Sequence, residues 1–324
     1  MTGSSDSSPS SLDGSVRTVL DDCLGVRPGE QVLVLSDPAK AEIARALVDG
    51  ARLMGAEAVS IEMAERETHG TEPPPAVAAA MLACDVLIAP TSKSVSHTSA
   101  RRAATEKGVR AATMPDITVD MLARTMSADF DGVKRRSRAV AELLTAGDAV
   151  RITSAKGSDL RLSIAGRTAI SDDGDLREPG AFGNLPAGEG FIAPVEGTAT
   201  GRLVVDGTVW PLGLLEDPLV VDFEDGYATS IAGAGADRFR AALEPYGRDA
   251  FAVAELGIGT NEAAILTGNV LEDEKILGTI HLALGDNHSF GGTVRVSSHQ
   301  DGIVLDPTLT IDDRTILQEG DLLI

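Results

Sequence analysis

Short apolar runs and amphipathic stretches alternate along the first part of the chain. Gln31–Ser36 (QVLVLS) follows the turn residues Arg27-Pro28-Gly29 and predicts a buried strand. Residues 39–54 have helical spacing and stop at Gly55, and residues 58–63 turn apolar again. Residues 76–84 predict a helix, 85–89 (DVLIA) a buried strand, 99–107 a helix closed by Gly108, and 109–113 the next strand. Strand–helix units of this length imply parallel pairing with helices on the sheet faces. The expectation is an α/β domain with a doubly wound, Rossmann-like parallel sheet over residues 15–146.

The pattern changes near Asp148. Residues 150–153, 159–164 and 201–205 read as strands between turns rich in Gly, Asp and Pro. Asp206-Gly207 and Asp225-Gly226 are hairpin signals. Ala236–Leu243 is the one clear helix in the middle, and short strands with glycine turns dominate from Phe251 onward. Residues 147–324 therefore predict a β-rich α+β domain. Residues 1–14 (MTGSSDSSPSSLDG) predict a disordered polar tail, with neither the basic nor the apolar region of a signal peptide.

Composition narrows the partners. The 324 residues are 43% hydrophobic, enough for a large core, and 28 basic against 49 acidic residues give a formal charge of −21. Such a surface repels phosphate backbones and anionic lipid, which argues against nucleic acid and membrane partners. No apolar run approaches the roughly 20 residues of a membrane span. Cys23 and Cys84 form no CxxC pair, so a reducing compartment and a cytoplasmic location are expected. There is no GxGxxG after the first strand, where Asp37-Pro38-Ala39-Lys40 stands, and no GxSxG elbow or HExxH helix.

The chemistry-bearing residues gather late in the chain. Three of the five histidines, His281, His288 and His299, fall within residues 281–299. Residues 278–284 (GTIHLAL) alternate as a strand, so His281 points away from Ile280, Leu282 and Leu284. Residues 293–301 (TVRVSSHQD) predict a second strand, on which His299 and Asp301 share a face and present an imidazole beside a carboxylate. Glu255 ends an apolar run before ELGIG, and Glu189 sits between glycines in GNLPAGEG. Each predicts either a solvated loop-edge carboxylate or a functional one. The run Glu272, Asp273, Glu274, Lys275 reads as a mostly solvated turn. His97, in SVSHTSARRAA, either caps the following helix or faces a cleft. Arg101 and Arg102 read as helical surface charge or as a clamp for a substrate carboxylate.

Four segments together resemble the thermophilic-type metallo-aminopeptidases, the aminopeptidase T family, and their shorter relatives. They are residues 184–194 (NLPAGEGFIAP), 255–261 (ELGIGTN), 271–286 (LEDEKILGTIHLALGD) and 299–301 (HQD). The resemblance implies a dinuclear site of zinc, cobalt or manganese, held by Glu189, Glu255, His281, His299 and Asp301, with the ions about 4 Å apart. It implies a hydrolase that activates a metal-bound water to cleave an N-terminal residue or a related small amide, with Glu189 or Glu255 as general base. It also implies a homodimer acting on a small-molecule or peptide substrate. The family carries a tyrosine at its metal centre seven residues after the His281 equivalent; His288 stands there in this chain and takes its catalytic place.

A second branch of the superfamily, the dihydroxypyridine ring-cleaving dioxygenases, is similar in size and in a histidine like His97, which would bind substrate. That branch uses one iron(II) on two histidines and a carboxylate, a triad His281, His299 and Asp301 could supply. Glu255 stands where that branch is expected to carry a histidine. The extra carboxylates favour the hydrolase as the leading expectation, with the dioxygenase as the alternative. A member repurposed for a biosynthetic pathway is the third reading.

Overall fold

The computed structural model describes residues 11–324, and the chain divides into two compact units. The first comprises residues up to Phe130 together with Gly174–Ala187, and the second comprises Asp131–Asp173 and Gly188–Ile324.

The first unit holds a five-stranded parallel sheet in the order Glu57–Glu62, Gln31–Ser36, Val86–Thr91, Arg110–Pro115, Phe182–Asn184. The central strand Val86–Thr91 is buried along its whole length, and its neighbours are buried at all but one position each, because helices such as Ala41–Leu53 and Ser99–Glu106 cover them. Leu33, Leu35, Leu87, Ala89, Met81 and Ala104 join one core cluster there. The α/β class read from the strand–helix alternation is what the structure has.

Two of the expected boundaries fall elsewhere. Residues 1–10 of the expected disordered tail lie outside the described residues, but 11–14 are helical, in Ser11–Arg17. Apolar Val16, Val19, Leu20 and Cys23 at helical spacing bury one face of this region. The units divide at Phe130/Asp131 rather than at 146/147. The Phe130–Ala146 helix buries Val140 and Leu144 in the core of the second unit, and residues 174–187 return to add the last strand of the parallel sheet.

The second unit is built from an eight-stranded and a seven-stranded sheet. Leu160, Leu162, Leu203 and Val221 of the former share one core cluster with Leu256, Ile258, Ile280 and Leu282 of the latter. Asp225-Gly226 is a true hairpin turn, with both residues at positive φ (48° and 79°) joining Leu219–Glu224 to Tyr227–Ala232. Asp206-Gly207 is not a hairpin. It carries the chain from Thr200–Val205 in one sheet to Thr208–Val209 in the other, and the Asp206 carboxylate accepts from the Leu305 amide at 2.8 Å. Among the described residues, no helix is long and apolar enough to cross a membrane.

Candidate metal centre

The seven-stranded sheet positions the site. Its order includes Thr208–Val209, His299–Val304, Ile280–Gly285, Val253–Gly259, Glu189–Ile192 and Ile170–Asp172 as successive neighbours. Directly paired residues of antiparallel strands share a face. The pairs are Asp172 with Glu189, Glu189 with Gly259, Gly257 with His281, Glu255 with Ala283, Ala283 with Asp301, and Gly285 with His299. Strand alternation then puts Asp172, Glu189, Glu255, His281, His299 and Asp301 on one face. The other face carries Ile192, Leu256, Ile258, Ile280, Leu282, Leu284 and Val304 into the core.

Two local features make this possible. A register shift between Val253 and Glu255 lets Val253 face the core opposite Leu284, while Glu255 turns to the site face. Glu255 thus lies inside the strand, where the sequence had placed it at a strand end beside a turn. Gly257 provides room for an imidazole. A Cβ on it would lie 2.0 Å from His281 Nε2, so the ring occupies the space any side chain would fill.

The ionisable atoms form a continuous chain. His281 Nε2 is 3.0 Å from Glu189 Oε2 and 3.3 Å from Glu255 Oε1; His299 Nε2 is 3.5 Å from Glu255 Oε2 and 3.6 Å from Asp301 Oδ1. Among the described residues, three compact groups could hold a metal ion: Glu189, Glu255 and His281; Glu255, His299 and Asp301; and Glu274, His281 and Asp301. The trio His281, His299 and Asp301 is not among them, because Glu255 stands between the two imidazoles. His281 Nδ1 is buried without a hydrogen-bond partner, and buried Glu189 Oε2 has only its ionic contact with His281 Nε2. His299 Nδ1 donates to the Asp286 carbonyl at 2.7 Å, which orients the ring and turns Nε2 toward two carboxylates. Phe290 stands edge-on to His299, centroids 5.9 Å apart, and to Phe191 at 5.6 Å.

The charges are strongly coupled. Burial pushes the Glu255 carboxyl up, but hydrogen bonds from His281 and His299 outweigh it and hold it at about 2. Burial disfavours the charged form of both imidazoles. Glu189 and Glu255 around His281, and Asp301 and Glu255 around His299, nevertheless hold both well above 6.5.

The sequence reading missed Asp172 and misplaced Lys275. Lys275, assigned to a solvated turn, is 1% exposed. Its Nζ donates to Glu189, to Glu274 at 2.8 Å and is 3.2 Å from Asp172. Glu272 and Asp273 are fully buried too. Glu272 accepts from the Ile265 amide at 2.8 Å, and Asp273 from the Thr208 hydroxyl at 2.6 Å and the Thr267 and Gly268 amides at 2.8 Å each. Burial pushes Asp172 up to about 7 and Glu274 up to about 8, even beside Lys275.

Two other candidates have local surroundings of their own. His288 is exposed, its Nε2 accepts from Arg295, and it belongs to none of the three groups. His97 belongs to the first unit and is exposed. Thr98 is the cap of the following helix, its hydroxyl accepting from the Arg101 amide at 3.2 Å. Both neighbouring arginines have local work: Arg101 lies over the Phe182 ring at 3.8 Å and Arg102 donates to the His97 carbonyl at 2.7 Å.

This parallel-sheet unit followed by a two-sheet unit defines a fold class first. It superposes on a 2,5-dihydroxypyridine dioxygenase from Pseudomonas putida with a TM-score of 0.83, at 21% identity and covering 98% of each chain. It superposes on AmpT from Thermus thermophilus with a TM-score of 0.71, at 16% identity and covering 97% of this chain and 99% of that one. Within that class, the chain belongs to the family NicX: 2,5-dihydroxypyridine 5,6-dioxygenase, whose model matches residues 12–324. A curated 2,5-dihydroxypyridine 5,6-dioxygenase from Pseudomonas putida is 25% identical over 217 residues, covering 63% of this chain and 61% of that protein.

Family membership corrects the leading expectation. The assignment as a hydrolase, aminopeptidase or metalloprotease gives way to a dioxygenase family, and the likeness to AmpT is one of fold. The physical reason is that carboxylates and imidazoles on one sheet face suit either chemistry, so five matching residue types do not choose between them.

Proposed function

We propose that this protein is a metal-dependent dioxygenase that opens the ring of a dihydroxypyridine-like substrate, with one ion held by Glu255, His299 and Asp301. The carrying observation is the His299 ring, whose Nδ1–H is committed to a backbone carbonyl while Nε2 faces Glu255 and Asp301. One nitrogen and two carboxylate donors suit a divalent ion of intermediate hardness, iron(II) for this chemistry. When bound, the metal would bring oxygen and the hydroxylated ring together and supply the redox step.

The chain's own residues supply the rest. His281 hydrogen-bonds Glu255 from the neighbouring strand and fixes which oxygen turns toward His299. Glu255, held at about 2, stays a carboxylate at every working pH. Phe290 and Phe191 set an apolar edge beside His299 that excludes water and offers a flat ring a surface.

A second reading concerns metal count. Glu255 belongs both to the group with Glu189 and His281 and to the group with His299 and Asp301, so it could bridge two ions, as in the zinc, cobalt or manganese pairs of the first expectation. The test of function is anaerobic loading with iron(II), followed by oxygen uptake with 2,5-dihydroxypyridine. The expected result is one O2 consumed per ring opened. No uptake, with amino-acid p-nitroanilides cleaved instead, would reverse the proposal.

A further inference from the structure

We propose that Lys275 acts as a tethered cation in the place a second divalent ion would take, and so fixes the site at one metal ion per chain. This rests on the metal reading above and deepens it. A lysine ammonium has three N–H donors. The Lys275 ammonium is surrounded by three carboxyl groups, Glu189, Glu274 and Asp172, and is the largest side chain among the fully buried ones. A buried ammonium is costly unless it is matched in this way.

Its position is built into the backbone. The Lys275 amide donates to the Glu272 carbonyl at 2.9 Å, and its carbonyl accepts from the Asn261 amide at 2.8 Å. The buried Glu272 and Asp273 side chains anchor the segment just before it. Glu189 offers one oxygen to Lys275 and the other to His281, so a divalent ion using Glu189 would sit beside the ammonium at like charge. Glu274 belongs to a second group that could hold a metal and is likewise tied to Lys275. The group Glu255, His299 and Asp301 contains neither of Lys275's glutamate partners. Lys275 is thus a positioning residue that withdraws two of the three groups from metal binding and leaves one.

The test is anaerobic titration of the full chain with Mn2+ alone, read as ions per chain by calorimetry and by metal analysis after dialysis. Wild type should bind one ion, and Lys275→Met, with a native melting transition, should bind two. A folded Lys275→Met that still binds one, or a wild type that binds two, overturns the inference while leaving the metal reading intact. A wild type that binds none sinks both. Should Lys275→Met fail to fold, Glu189→Gln decides. Its carboxylate serves Lys275 and His281, so the single ion should remain at saturation, with Kd raised by no more than the roughly 10–100-fold of a partner one step removed from the metal. Loss of that ion would make Glu189 a ligand and refute the inference.

Discussion

The two faces of the seven-stranded sheet share the same backbone and differ in everything else. One face sends Leu256, Ile258, Ile280, Leu282 and Leu284 into the core of the second unit. The other gathers Asp172, Glu189, Glu255, His281, His299 and Asp301, six ionisable groups from five strands. The two-residue period lets each strand contribute to both at once. The apolar face makes the backbone rigid, and the polar face inherits that rigidity as fixed ligand positions. Substitutions on the two faces should therefore fail in different ways.

The sharpest separation is Glu255→Gln. It should remove metal binding and reduce oxygen uptake by more than about 100-fold while the melting transition stays within a few degrees of wild type, read by metal analysis and calorimetry. Leu282→Ala breaks the other face. It should cost about 2–5 kcal/mol in urea unfolding yet leave turnover per folded, metal-loaded chain unchanged. Were both variants to lose activity and stability together, the faces would not be separable.

Gly257→Ala probes the junction between them. The added methyl meets the His281 ring, so metal affinity should fall by about tenfold in a titration, with His281 displaced. Proton competition gives the next effect. The His299 imidazole is held above 6.5 without metal, so binding must expel its proton, and affinity should fall as pH falls and keep rising with pH above 6.5. An affinity already level at pH 6.5 would contradict that. The smallest effect is expected at His288→Ala. This residue is exposed and paired with Arg295, and kcat/KM should change by less than about threefold.

The legible parts of this site were those that depend on local period. Alternation around His281 and the His-x-Asp spacing gave the correct facing of both strands, although the second begins at His299 rather than at residue 293. The strand–helix alternation of the first unit and the helix Ala236–Leu243 were equally readable. What stayed hidden depends on distant partners. Lys275 reads as solvent-exposed because a charged run normally is, and its burial becomes explicable once Asp172 and Glu189, far back in the chain, join its neighbour Glu274 around it. Glu255 looked like a strand end because a bulge leaves no sequence mark of its own. The final strand of the parallel sheet, Phe182–Asn184, is too short to announce itself and joins only after an excursion through the second unit.

The choice between hydrolase and dioxygenase was hidden for a different reason. It turns on how many ions the carboxylates hold and on what reaches them, and residue types alone do not encode either. The most direct measurement is a crystal structure of the iron(II)-loaded chain with anomalous data collected across the iron edge. The account predicts a single peak within coordination distance of Glu255, His299 and Asp301, with Lys275 still against Glu189. Two peaks flanking Glu255, or none on this face of the sheet, would contradict it.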